Sequence, residues 1–281
     1  MTFYGWKLRR IIRLELFLCL AALAFSLVGC DKLGALLHRR TKVASHPAER
    51  PAPRPARPSP SGTARLAVIL DDLGNDRSAA AAVLALPYPL TISVLPYHPY
   101  SAEIAQEAYQ RGFEVMLHLP MQAQGGEKAE SEELRPGMPA QEISAELNGM
   151  LQSVPHVVGV NNHQGSLATA NVALMGELMP LLRNRHLFFI DSRTTAATVA
   201  FDAAEKDKVR CAFRNVPFLD DVQDVAAIRK QLELAIHSAK EKGEAVAIGH
   251  SHPETLQALR EVLPQAQAQG VQLVFASDLV H

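Results

Sequence analysis

Arg65-Leu-Ala-Val-Ile-Leu-Asp-Asp-Leu-Gly74 decides how the chain is read: a short apolar, β-branched run that ends on two carboxylates and a glycine. A helix-length amphipathic segment follows it, at about residues 76–86, and the same alternation recurs to the end of the chain. Such alternation is the signature of a parallel sheet built from βα units. It predicts strands at 65–70, 90–95, 113–117, 157–160, 187–190, 208–213, 244–248 and 271–276. Helices are predicted at 76–86, 100–111, 141–152, 171–184, 196–206, 222–241 and 254–269. Seven or eight such units in about 215 residues suit a closed (β/α) barrel of parallel strands, with a doubly wound open sheet as the alternative. The Gly- and Glu-rich stretch from Gln122 to Pro139 reads as a long loop over one face.

Charge divides the chain in two. Residues 1–65 carry 12 Lys/Arg against 3 Asp/Glu, leaving 16 against 26 for residues 66–281, so the folded part is acidic by ten charges. That surface repels nucleic acid and anionic lipid, and no nucleic-acid partner is expected. Of the three cysteines, Cys19, Cys30 and Cys211, only the last lies in the folded part, which therefore forms no internal disulfide.

Residues 1–30 have the layout of a signal peptide or membrane anchor. Lys7, Arg9, Arg10 and Arg13 precede an apolar run from Leu16 to Val28, too short to span a bilayer comfortably. The run closes on Leu27-Val-Gly-Cys30, which resembles a bacterial lipobox, so Cys30 is the expected lipidation site and an uncleaved anchor the alternative. Asp31 resembles the signal that retains lipoproteins in the inner membrane. Residues 31–64, rich in Pro and Arg, cannot bury a core. As polyproline II, at ~3.1 Å per residue, they hold a domain up to roughly 100 Å from its anchor. The expected location is the periplasm of a Gram-negative-type bacterium, with the chain tethered to the inner membrane by its N-terminus.

Residues able to do chemistry fall just after predicted strands: Asp71-Asp72, His118, Asn161-Asn162-His163, Asp191-Ser192-Arg193, Arg214-Asn215 and Gly249-His250-Ser251-His252. In a βα barrel these positions share one rim. Each has an innocent reading alone: Asp71 and Asp72 as helix caps, His118 as a core histidine, Asn161-Asn162 as a turn. Together they predict one polar cleft, with oxygen and nitrogen donors suited to zinc or a similar divalent ion. Asp220-Asp221 reads instead as the cap of the 222–241 helix. His98, His156, His186, His237 and His281 are assigned no role.

Five segments carry a family resemblance. Ile69-Leu-Asp-Asp-Leu-Gly74, Gly112-Phe-Glu-Val-Met-Leu-His-Leu-Pro-Met121, Gly159-Val-Asn-Asn-His-Gln-Gly-Ser166, Phe189-Ile-Asp-Ser-Arg-Thr-Thr195 and Ile248-Gly-His-Ser-His-Pro253 resemble the divergent polysaccharide deacetylases, over residues 65–281. That family has a nodulation-deacetylase-like barrel. The resemblance implies that Asp71 is the general base, that Asp72 and His118 bind metal, and that His250, ahead of His252, is the general acid. Two departures stand out. Met121 and Gln122 occupy the place of the second metal histidine, for which His163 is the proposed substitute. The family superfamily's Arg-x-Pro-Tyr motif has no clear match, and Asp191, Arg193, Arg214 and His252 are the candidates for substrate or oxyanion contacts.

The resulting expectation is a metal-dependent carbohydrate esterase, with zinc as the ion its donor set suits, removing N- or O-acetyl groups from a glycan such as peptidoglycan. A catalytically inactive metal- or glycan-binding scaffold of the envelope is the competing reading, supported by both departures. A hydrolase of another ester or phosphate fits the same ligands less well.

Overall fold

The computed structural model describes residues 63–125 and 130–281. The expected signal segment and lipobox, and all but the end of the expected linker, lie outside the described residues. Among those described, no helix is long and apolar enough to cross a membrane.

Among the described residues, eight strands alternate with seven helices. In chain order they are β1 (Arg65–Leu73), α1 (Arg77–Leu84), β2 (Thr91–Val94), α2 (Ser101–Gln110), β3 (Glu114–Met121), α3 (Ala140–Ser153), β4 (Val157–Gln164) and α4 (Val172–Asn184). There follow β5 (Phe188–Asp191), α5 (Ala200–Lys206), β6 (Cys211–Phe213), α6 (Val225–Lys242), β7 (Glu244–His250), α7 (Pro253–Ala268) and β8 (Gln272–Val274). All pairings between strands are parallel, in the order β6-β5-β4-β3-β2-β1-β7. β8 is a short wedge: it pairs with Arg65 to Ala67 of β1, before the point where β2 takes over at Ile69.

The ring is nearly closed. Between β6 and β7, the Asn215 amide donates to Val246 O (3.0 Å), Val246 N–H donates to Asn215 Oδ1 (2.6 Å), and Leu219 N–H donates to Ile248 O (2.9 Å). These bonds from the segment after β6 stand in for a strand ladder, so the architecture is the barrel and not the open sheet.

Alternation along the strands separates two cores. Ala67, Ile69, Met116, Phe188, Ile190, Val246, Ile248 and Val274 fill the barrel interior, where Leu279 and Val280 of the C-terminal tail join them. Their sequence neighbours, among them Leu66, Val68, Leu70, Leu117, Phe189 and Ala247, pack outward under the helices. Gly159 lies where no side chain fits: a Cβ there would come within 2.3 Å of the Phe188 ring.

Local chemistry sets the helix ends. Asp76 accepts the amides of Ser78 and Ala79 to cap α1, and Asn171 accepts that of Leu174 to cap α4. Gly243 stops α6 at φ 91°, a left-handed turn that feeds β7 directly. The cap of α6 is Asp224, which accepts the Ala227 amide, and not Asp220-Asp221 as the sequence pattern suggested. The long loop after β3 is pinned midway, where buried Leu134 exchanges main-chain hydrogen bonds with Pro120 and Gln122.

Candidate active site

Continuing each inward-facing series by one more step brings a polar side chain to the C-terminal rim: Asp71 after Ala67 and Ile69, His118 after Met116, His250 after Val246 and Ile248. Asp71 and Asp72 are adjacent, and adjacent strand residues ordinarily face opposite ways. Here the register of β1 against β2 shifts between Leu70 and Leu73, and Asp72 adopts φ 62°. This irregularity turns both carboxylates toward the same site, as bulges do at barrel rims.

Asp72 Oδ1 lies 3.1 Å from His118 Nε2 and 3.0 Å from His163 Nδ1, and the two ring nitrogens are 3.2 Å apart. Ligand atoms around a tetrahedral zinc ion stand about 3.3 Å apart, so this triangle fits a divalent ion. Asp72 Oδ1 is buried and meets no hydrogen-bond donor in bonding geometry. An acceptor so placed is what a cation would satisfy. Burial pushes the Asp72 carboxyl upward, but the two imidazoles outweigh it and hold the group far below the usual carboxylate range. It is anionic throughout the neutral range.

Asn161 sits beneath the triangle and ties it to Asp71. Its Oδ1 is 2.9 Å from His118 Nδ1, an arrangement in which Nδ1–H donates and the Nε2 lone pair is left toward the triangle. The Asn161 amide donates to both oxygens of Asp71, at 2.9 and 3.0 Å. Ser93 donates to the same Asn161 Oδ1. Asp71 is fully buried, and burial raises its carboxyl above the ordinary value although His118 and His250 pull the other way. A raised carboxylate is a better proton acceptor. Beyond the triangle, Glu130 reaches His163 Nε2 at 3.8 Å with one oxygen and His98 Nε2 at 3.3 Å with the other.

Opposite Asp71, His250 is held by Asp220. Asp220 Oδ1 is 2.8 Å from His250 Nδ1, while Oδ2 accepts the His250 main-chain amide (2.6 Å) and the Thr255 hydroxyl (2.7 Å). Burial opposes charge on the imidazole, yet the Asp220 hydrogen bond and the carboxylates of Asp71, Asp220 and Asp72 raise it to about 9. His250 is thus a charged acid at neutral pH, with Nε2 3.8 Å from Asp72 Oδ2.

The structure therefore brings Asp71, Asp72, His118, His163 and His250 to one cleft, lined further by Asn162, Gln164, Ser166, Thr194, Phe218 and Asp221. Of the remaining candidates, His252 lies beside the acid, its ring centre 5.8 Å from that of His250, while Asp191, Arg193 and Arg214 serve the surrounding loops. Buried Asp191 accepts the amides of Arg193 and Phe201 and the Thr198 hydroxyl, which secures the turn into α5. Arg214 donates to the carbonyls of Ser192, Val216 and Arg193 and stacks 3.9 Å from the Phe218 ring centre, a clamp on two loops. Arg193 lies over Phe213 at 3.4 Å. His252 is the N-cap residue of α7, with Nε2 3.1 Å from Gln223 Nε2.

Sequence reasoning missed Asp220, and counted Asn161 among the rim residues without giving it a role. Nothing local distinguishes Asp220 from a helix cap, because its partner is thirty residues away. Asn161 carried one signal: it falls two residues before His163, on the same inward face of β4 as Gly159.

Comparison with known proteins bears on this site. Residues 68–280 match the model of the family described as divergent polysaccharide deacetylase. The YibQ protein of Escherichia coli strain K12, described as uncharacterized, is 38% identical over 223 residues, 79% of this chain and 69% of its own length. An uncharacterized Haemophilus influenzae protein is 37% identical over 215 residues, 76% of each chain. Among solved structures, the uncharacterized protein ATU2773 of Agrobacterium tumefaciens C58 superposes with a TM-score of 0.75 at 22% identity, covering 80% of this chain and 92% of that one. This likeness is one of fold.

Proposed function

We propose that this chain, which belongs to the divergent polysaccharide deacetylase family, is a metal-dependent esterase that removes N- or O-acetyl groups from a glycan of the cell envelope, such as peptidoglycan. One observation carries the reading. A three-atom ligand triangle, Asp72, His118 and His163, stands between a buried carboxylate with raised pKa, Asp71, and a charged histidine, His250.

A divalent ion held by Asp72, His118 and His163 would supply Lewis acidity toward a carbonyl oxygen and a water. Asp71 takes the proton of the attacking water, its two oxygens kept in place by the Asn161 amide. His250 protonates the departing nitrogen or oxygen through Nε2, since Nδ1 is engaged by Asp220. The Phe218 ring, centred 5.7 Å from that of His250, offers an apolar wall beside the acid. Tethering through the N-terminal segment, by lipid on Cys30 or by an uncleaved anchor, would place this barrel in the periplasm.

A second reading is favoured by one specific feature. Arg214 has its donors engaged by main-chain carbonyls and Arg193 covers Phe213, so neither is presented to an oxyanion. A barrel that binds metal and glycan without turnover is consistent with that. Acetate release from N-acetylated oligosaccharides, with and without added zinc, separates the two. The esterase reading expects Asp71→Asn and His250→Ala to lose about 10²–10⁴-fold in rate while keeping fold and metal. A wild-type protein that binds glycan but releases no acetate above a metal-stripped control supports the scaffold instead.

A further inference from the structure

Beside the pocket over the ligand triangle lies a larger cleft. It has a volume of about 610 Å³ and runs from Asp72 and His250 outward between α1 and α7. Asp72 and His250 line both cavities, so the two adjoin. One wall is Ser78, Ala79 and Ala82 of α1, and the other is Pro253, Leu256 and Arg260 of α7, which recur at helical spacing on one face.

Arg260 is the only Lys or Arg in this lining. Its guanidinium has no hydrogen-bond or ion-pair partner among the described residues, whereas Arg65, Arg77, Arg111, Arg183 and Arg229 all pair with carboxylates. Arg260 is exposed at the cleft's edge, with its donors available to a ligand. Of the two carboxylates in the lining, Asp76 is engaged in capping α1 and Asp72 belongs to the ligand triangle. Seven residues of helix separate Pro253 from Arg260, about 10 Å of rise. Arg260 is thus too far along to touch the reacting bond, and placed to meet a sugar further along the same chain.

We infer that the α1–α7 cleft is a subsite for a carboxylate-bearing sugar, recognised by Arg260, in an N-acetylated glycan; the inference rests on the glycan reading above. Guanidinium engages the two oxygens of a carboxylate through paired N–H donors. The polar side chains of Asn75, Ser78 and Ser251 supply donors and acceptors for sugar hydroxyls along the way.

Calorimetric titration of the full-length protein with three tetrasaccharides tests this. They are neutral chitotetraose, an alternating N-acetylglucosamine/N-acetylmuramic acid probe and a hyaluronan probe, so that lactyl and uronic carboxylates are compared. At least one anionic probe is expected to bind about tenfold more tightly than the neutral one, the worth of one charge-assisted pair. Arg260→Gln should erase that preference and Arg260→Lys should retain part of it. Equal binding of all three, no binding by any, or a preference that survives Arg260→Gln overturns the subsite. Since the readout is affinity, a protein that shows the preference yet releases no acetate refutes hydrolysis and leaves the subsite standing. Acetate release with no charge preference does the reverse.

Discussion

Asp220 Oδ1 lies 2.8 Å from His250 Nδ1, and the same carboxylate accepts the main-chain amide of His250 through its other oxygen. The pair orients the ring and keeps it charged. Its consequence for pH is definite. His250 is raised to about 9 in the folded protein against about 6.5 when unfolded. Its contribution to stability is therefore complete below about pH 6.5 and is lost as pH rises toward 9. Asp220 is lowered: burial raises it, but the bonds from His250 and Thr255 prevail, so its contribution holds above its unfolded value and is lost on acidification. Asp220→Asn should flatten the loss of melting temperature of the metal-free protein between pH 6 and pH 10. It should also move the alkaline edge of any acetate-releasing activity downward from about 9. A variant with an unchanged alkaline edge would show that His250 is not the acid.

The ligand triangle makes a graded prediction for metal affinity. Outer partners of metal ligands typically contribute 10–100-fold in affinity. Asn161→Ala, which removes the acceptor for His118 Nδ1–H, should weaken zinc binding by about that factor. His163→Ala removes a corner of the triangle itself and should weaken it by more than ~100-fold. Zinc titration of the metal-free proteins against a fluorescent chelator checks both. Wild-type affinity in His163→Ala would exclude His163 from the ligand set.

The barrel interior has its own test at Gly159, whose missing side chain admits the Phe188 ring. Gly159→Ala should cost about 1–3 kcal/mol by overpacking. Gly176→Ala, in mid-α4 with open space around the added methyl, should cost nothing or stabilise by about 0.5–1 kcal/mol. Urea unfolding of the two variants against wild type measures the difference, and equal stabilities would place Phe188 elsewhere.

The element order, the parallel sheet and the rim that carries the chemistry were all legible in residues 65–281, because hydrophobic periodicity and turn residues act over a few positions at a time. The strands Arg65–Leu73, Glu114–Met121 and Glu244–His250 carry Asp71, His118 and His250 at or near their C-terminal ends, after apolar runs. Hydrogen-bond partners over long separations were not legible. Asp220 is chemically indistinguishable from the helix cap that Asp224 turns out to be, and only the closure of β6 against β7 through Asn215 and Leu219 brings it under His250. Arg214 is likewise an ordinary rim cation in one dimension, and becomes a clamp because three carbonyls from neighbouring loops surround it. Amino-acid order set which side chains reach the rim; barrel register and the irregularity at Asp72 decided which of them face one another, because those depend on packing between segments distant along the chain.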